Sequence, residues 1–203
     1  MIASPNKSLL ECFYHWEATQ PDAVYFYQPI NGQFVEYTWK EVGRQARSIA
    51  AYLQSLDLAP KSNIGLVSKN CAEWLIADIA IMMAGHVSVP FYPTLVRHQI
   101  RQVLEHSECK YLFVGKLDDL EEVKKGIPEY VTCISFPIYN PDPSHIQWND
   151  LLSSFKPLES NYYPDLNDLF TIIYTSGTTG KPKGVMMQYK VMSEVLYHTR
   201  GIT

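Results

Sequence analysis

Between residues 64 and 136 short apolar runs alternate with longer helical stretches, and few folds accommodate that rhythm. Ile64-Gly65-Leu66-Val67, Val87-Ser88-Val89-Pro90, Tyr111-Leu112-Phe113-Val114 and Val131 to Phe136 are each too short for a helix and show little polar alternation. Runs of that kind read as strands buried on both faces. Between them, Ala72 to Ala84 is apolar nearly all round, with Gly85 placed as a C-cap. Arg97 to Ser107 turns Ile100, Val103 and Leu104 to one side, and Asp118 to Lys125 is a short helical stretch. Strand, helix, strand, helix predicts an α/β fold: a mostly parallel sheet with helices on both faces.

The flanks add to this frame. Leu9, Leu10, Phe13 and Trp16 fall at helical spacing. Val24–Tyr27 and Phe34–Tyr37 read as a hairpin around the turn signal Asn31-Gly32. Thr38 and Glu41 form a capping-box pair before a helix whose Val42, Ala46, Ile49, Ala50 and Leu53 share one face, with Arg44, Gln45, Arg47 and Ser48 largely opposite. Pro137 to Ser144 is a proline-rich loop, Trp148 to Phe155 a short helix, and Pro157 to Asp168 a second connection. Trp74 to Tyr92 has the length of a membrane span, but Asp78, Gly85, His86 and Pro90 interrupt it, so a buried helix followed by a strand is expected instead.

Composition narrows the function classes. With 46% hydrophobic and 19% charged residues the chain is globular, and a net charge of −4 gives no footprint for nucleic acid. Cys12, Cys71, Cys109 and Cys133 are far apart and form no zinc or disulfide pattern, which reads as free thiols in a reducing, cytoplasmic compartment. Met1 to Phe13 has no signal-peptide shape. His98 and His106 have no carboxylate or cysteine arranged with them, so a surface or packing role is expected.

The chemistry sits in residues 174–185, Tyr174-Thr175-Ser176-Gly177-Thr178-Thr179-Gly180-Lys181-Pro182-Lys183-Gly184-Val185, directly after the apolar segment Leu169 to Tyr174. A strand feeding small residues brings bare backbone N–H groups close to a phosphate. Gly177, Gly180 and Gly184 permit positive φ and close approach. The hydroxyls of Thr175, Ser176, Thr178 and Thr179 can donate to phosphate oxygens, Lys181 and Lys183 add charge, and Pro182 stiffens the loop between them. The spacing is neither that of a Walker A loop nor that of a dinucleotide fingerprint.

This string resembles, almost letter for letter, the phosphate-binding loop of the adenylate-forming enzymes, which include acyl-CoA synthetases, luciferases and peptide-synthetase adenylation domains. Asn70-Cys71-Ala72-Glu73-Trp74, Ala77-Asp78-Ile79-Ala80 and Val89-Pro90-Phe91-Tyr92-Pro93-Thr94 are similar to bacterial long-chain fatty-acid–CoA ligases in particular. The likeness runs from the Thr38 helix to Val185. Tyr189 stands about where that family carries a histidine beside its acyl pocket. The family's metal-binding glutamate, ribose-binding aspartate and C-terminal lysine have no match in residues 1–203, so the resemblance implies the N-terminal part of such an enzyme, inactive by itself.

The implied activity has two steps: ATP and a long-chain fatty acid give acyl-adenylate and pyrophosphate, and coenzyme A then displaces AMP. By the resemblance, Ser176, Gly177, Thr178, Thr179, Gly180 and Gly184 surround the pyrophosphate, Lys181 and Lys183 stabilise its charge, and Thr175 is a ligand of Mg2+. Lys183 and Thr178 are the expected catalytic pair. The implied partners are small molecules, with membrane contact through the lipid substrate at the inner face. The competing readings are an enzyme that loads a carrier protein and a non-catalytic interaction module.

Overall fold

The computed structural model describes residues 6–139, 141–176 and 182–198. Helix α1 (Leu9–Thr19) opens on a capping box: Ser8 Oγ accepts from the Glu11 N–H at 3.3 Å, and the Glu11 carboxylate accepts from the Ser8 N–H at 2.8 Å. Strands β1 (Val24–Ile30) and β2 (Gln33–Thr38) form a separate two-stranded antiparallel sheet. Its turn is Asn31-Gly32, both left-handed at φ 49° and 79°, as the sequence predicts.

Helix α2 (Trp39–Ser55) starts at Thr38, whose hydroxyl accepts from the Glu41 N–H at 3.2 Å. The expected capping box is only half made, because the Glu41 carboxylate instead accepts from Arg44 and Gln45. The predicted face, Val42 to Leu53, is buried. Two residues placed opposite it are not in open solvent: Ser48 is fully buried, and Arg47 is held by both carboxylate oxygens of Glu17 at 2.6 and 2.7 Å and by Asn161. The cause is that α2 is covered on more than one side, by α1 and by α3 (Ala72–Met83) and α6 (Trp148–Ser154).

The central sheet is built from β3 (Asn63–Val67), β4 (Val87–Phe91), β5 (Tyr111–Val114), β6 (Thr132–Ser135), β7 (Ile146–Gln147), β8 (Leu169–Ser176) and β9 (Pro182–Gln188). Their order is β7-β6-β5-β3-β4-β8-β9, and every neighbouring pair is parallel except β8 with β9. Helices α3, α4 (Arg97–Ser107), α5 (Leu120–Gly126) and α6 run between the strands, and α7 (Tyr189–His198) follows β9. One face of the sheet buries Leu66, Phe113, Ile134 and Phe170 under α1, α2, α3, α6 and α7. The other buries Val67, Val89, Leu112 and Tyr174 under α4 and α5. This is the two-faced, mostly parallel α/β arrangement expected from the alternation.

Helix α3 is packed on the sheet as its lack of a polar face requires. It ends in a Schellman motif: Gly85 at φ 79° donates to the Met82 carbonyl and His86 to the Ile81 carbonyl, both at 3.0 Å. Among the described residues no helix is long and apolar enough to cross a membrane.

Candidate active site

Strands β3 to β7 run parallel, so their C-terminal ends share one edge of the sheet, the edge at which open α/β sheets bind ligands. β8 joins this set through β4, with Ser88 opposite Thr171, and carries the glycine-rich string out at that edge. There the structure corrects the sequence reading. Thr175 and Ser176 are not loop residues but the end of β8, and Pro182, Lys183 and Gly184 begin β9. Thr175 faces Lys183 and Ser176 faces Pro182 across an antiparallel ladder. Pro182 therefore starts a strand, where its missing N–H costs least, and does not stiffen a loop. Lys183 is fixed by strand pairing. Gly177, Thr178, Thr179, Gly180 and Lys181 lie outside the described residues, as does the side chain of Ser176.

At Gly184 the structure shows the expected close approach but not a positive φ. Among the described glycines, positive φ is found at Gly32 and Gly85, and Gly184 is extended in β9. What requires glycine is crowding inside the hairpin. A Cβ at 184 would come within 2.7 Å of Ile172 Cγ2 and 3.2 Å of the Tyr174 ring.

Thr175 and Lys183 are both exposed. The pair gives one hydroxyl and one ammonium at the mouth of the string, a donor set suited to an anion. Among the described residues no group of three His, Cys, Asp or Glu side chains could hold a metal ion. Thr175 Oγ1 fits as a single ligand of a magnesium ion whose other ligands are nucleotide phosphates and water, the usual division for this cation.

Tyr189 opens α7 and is only 2% exposed. Its N–H donates to the Asp168 carbonyl at 3.0 Å, and its ring lies 5.3 Å from Phe170 at an interplanar angle of 40°. Burial holds its phenol far above the ordinary tyrosine range. Tyr189 is therefore a packed, neutral side chain in the layer between β8 and α7. The Asp78 carboxyl on α3 is close enough to act on it electrostatically, and burial pushes that carboxyl up to about 6.

Sequence reasoning missed one residue at the hairpin. His106, on the last turn of α4, places Nδ1 2.7 Å from the Tyr174 hydroxyl. The residues are 68 apart in sequence, so no local pattern links them.

A family model described as AMP-binding enzyme matches residues 13–201, so the chain belongs to the AMP-binding enzyme family. Fatty acyl-CoA synthetase B of Dictyostelium discoideum is 30% identical over 183 residues, which are 82% of this chain and 27% of that protein. A linear gramicidin synthase of Brevibacillus parabrevis is 27% identical over 173 residues, 79% of this chain and 3% of that one. The crystal structure of anthranilate CoA ligase AuaEII with anthranoyl-AMP superposes with a TM-score of 0.78 at 19% identity, over 94% of this chain and 36% of the ligase. The chain therefore spans about a quarter of the length of the acyl-CoA synthetase it matches.

Proposed function

We propose that the chain carries the pyrophosphate-binding hairpin of a long-chain fatty-acid–CoA ligase. The observation that supports this most is the pairing of Thr175 with Lys183 at the C-terminal edge of the sheet, on either side of the Ser/Thr/Gly string. In the first half-reaction a fatty-acid carboxylate oxygen attacks the α-phosphorus of ATP, and the bond to the β-phosphate oxygen breaks. Pyrophosphate leaves with its charge. Lys183 would neutralise that charge as it develops, and the hydroxyls and backbone N–H groups of residues 175–180 would hold the leaving oxygens in line. A magnesium ion carried with the nucleotide would screen the phosphates, with Thr175 as its ligand from this chain. In the second half-reaction the sulfur of coenzyme A attacks the acyl carbonyl carbon and AMP leaves.

The acyl-CoA synthetase relative, 30% identical, favours coenzyme A as the acceptor. The gramicidin synthase match supplies the second reading, in which the acceptor is a thiol borne by a carrier protein. The test is fatty-acid-dependent exchange of labelled pyrophosphate into ATP by the natural protein that contains this chain, followed by transfer to coenzyme A or to a carrier. Exchange stimulated by long-chain acids, with release of acyl-CoA, is the expected result. Exchange stimulated by amino acids instead would overturn the fatty-acid reading. Transfer only to a carrier would overturn the acceptor.

A further inference from the structure

Tyr174 is buried near the C-terminal end of β8, and its ring is held on two sides. On one side its hydroxyl meets His106 Nδ1 at 2.7 Å, the two rings lying edge to face at 5.7 Å and 84°. On the other side it lies against Gly184, its cross-strand partner, where a Cβ would come within 3.2 Å of the ring. The ring thus spans both strands of the hairpin and ties them to α4. That tie falls where the hairpin needs one. β9 is the edge of the sheet, and β8 is bound to the parallel strands through β4 alone. One strand pair on, Thr175 faces Lys183.

We infer that the His106–Tyr174 contact is a latch that sets the pitch of the phosphate hairpin, with His106 a positioning residue that acts through Tyr174. The inference rests on the hairpin's reading as the pyrophosphate site. His106 is exposed, so its imidazole is not there to fill the core. Phenylalanine at 174 would fill the same space as tyrosine. Loss of the contact therefore removes a directional bond and leaves the packing, which frees the tilt of the hairpin without unfolding the domain. Pyrophosphate binding depends on that tilt, because hydrogen-bonded contacts to phosphate lose strength steeply with misalignment.

The experiment uses the natural protein that contains this chain and two readouts. The first is native-state amide exchange of residues 172–175 and 183–186 against β3. The second is pyrophosphate binding by calorimetry. Tyr174→Phe and His106→Ala should each speed hairpin exchange and weaken pyrophosphate binding by roughly tenfold, the equivalent of one hydrogen bond. β3 exchange should stay as it is. The double variant should be no worse than either single, because both remove one shared interaction. His106→Asn, which sets an amide near the position of Nδ1, should restore both readouts. Unchanged hairpin exchange, additive losses, or faster exchange throughout the sheet would overturn the latch. Lys183→Ala runs beside these variants: if it leaves pyrophosphate binding unaltered, the phosphate reading fails, while hairpin exchange still decides the latch by itself. If Lys183→Ala weakens binding and the latch variants do not, His106 does not position the site.

Discussion

Asp78 is, with Glu73, one of two carboxylates on the mostly apolar helix α3, and its setting gives it a pH signature. Burial pushes its carboxyl from the ordinary 3.8 to about 6. A carboxyl raised on folding is protonated in the folded state while it is already ionised in the unfolded chain. Its destabilising effect is therefore absent below the unfolded value, grows as pH rises from about 4 to about 6, and is full above that. The full shift corresponds to about 3 kcal/mol, and partial access to water reduces what is realised to about 1–2 kcal/mol. Asp78→Asn should thus stabilise the chain by that amount at pH 8 and by almost nothing at pH 4. Urea unfolding at the two pH values checks it, and an equal gain at both would mean that the carboxyl is not desolvated. In the sequence the position was legible as an interruption of an apolar run and as part of the family-like Ala77–Ala80 step. Its protonation behaviour comes from the sheet packed beneath α3, which periodicity does not reveal.

At the scale of elements, one buried side chain of the N-terminal hairpin reaches into the α/β layer and caps a helix there. Gln28 on β1 accepts from the Ala72 N–H at 2.8 Å through Oε1 and donates to the Pro29 carbonyl at 3.0 Å through Nε2. Ala72 is the first residue of α3, and Cys71 before it makes no side-chain cap. Gln28 therefore caps α3 from another element. Gln28→Ala leaves that N–H buried without a partner, at a cost of about 1–3 kcal/mol. Gln28→Glu keeps an acceptor at a helix N-terminus and should lose less. Chemical denaturation midpoints of the three proteins test the order, and equal midpoints would show that water replaces Gln28. No sequence pattern carries a cap 44 residues away. The elements that were legible are those specified locally. Examples are the Asn31-Gly32 turn, the Gly85 helix end, and helix α4, found over Arg97–Ser107 as predicted. β7 and β9 were not legible. β7 is two residues long, and β9 starts at a proline, lacks alternation and exists through its pairing with β8.

For the whole molecule, the sheet order places the antiparallel β8–β9 hairpin at one edge and the parallel strands behind it. The family could be read from the string itself, whereas the shape that presents it could not. The run Lys181-Pro182-Lys183-Gly184 looks like continuous loop in composition, yet its last three residues are strand. Lys183 is fixed by its pairing with Thr175 and extends from a defined backbone. Pyrophosphate is present in adenylate formation and absent when coenzyme A attacks a preformed acyl-adenylate. A group that neutralises pyrophosphate therefore stabilises only the first transition state. A charged hydrogen bond of this kind contributes about 1.5–3 kcal/mol. At about 1.36 kcal/mol per decade, Lys183→Ala in the natural protein should slow adenylate formation by roughly tenfold to a hundredfold. The thioester step from supplied acyl-adenylate should keep its rate. Single-turnover assays of the two half-reactions separate these steps. Equal slowing of both would mean that Lys183 supports the hairpin's shape and not the phosphate, because a distorted hairpin would disturb every step that uses this edge of the sheet.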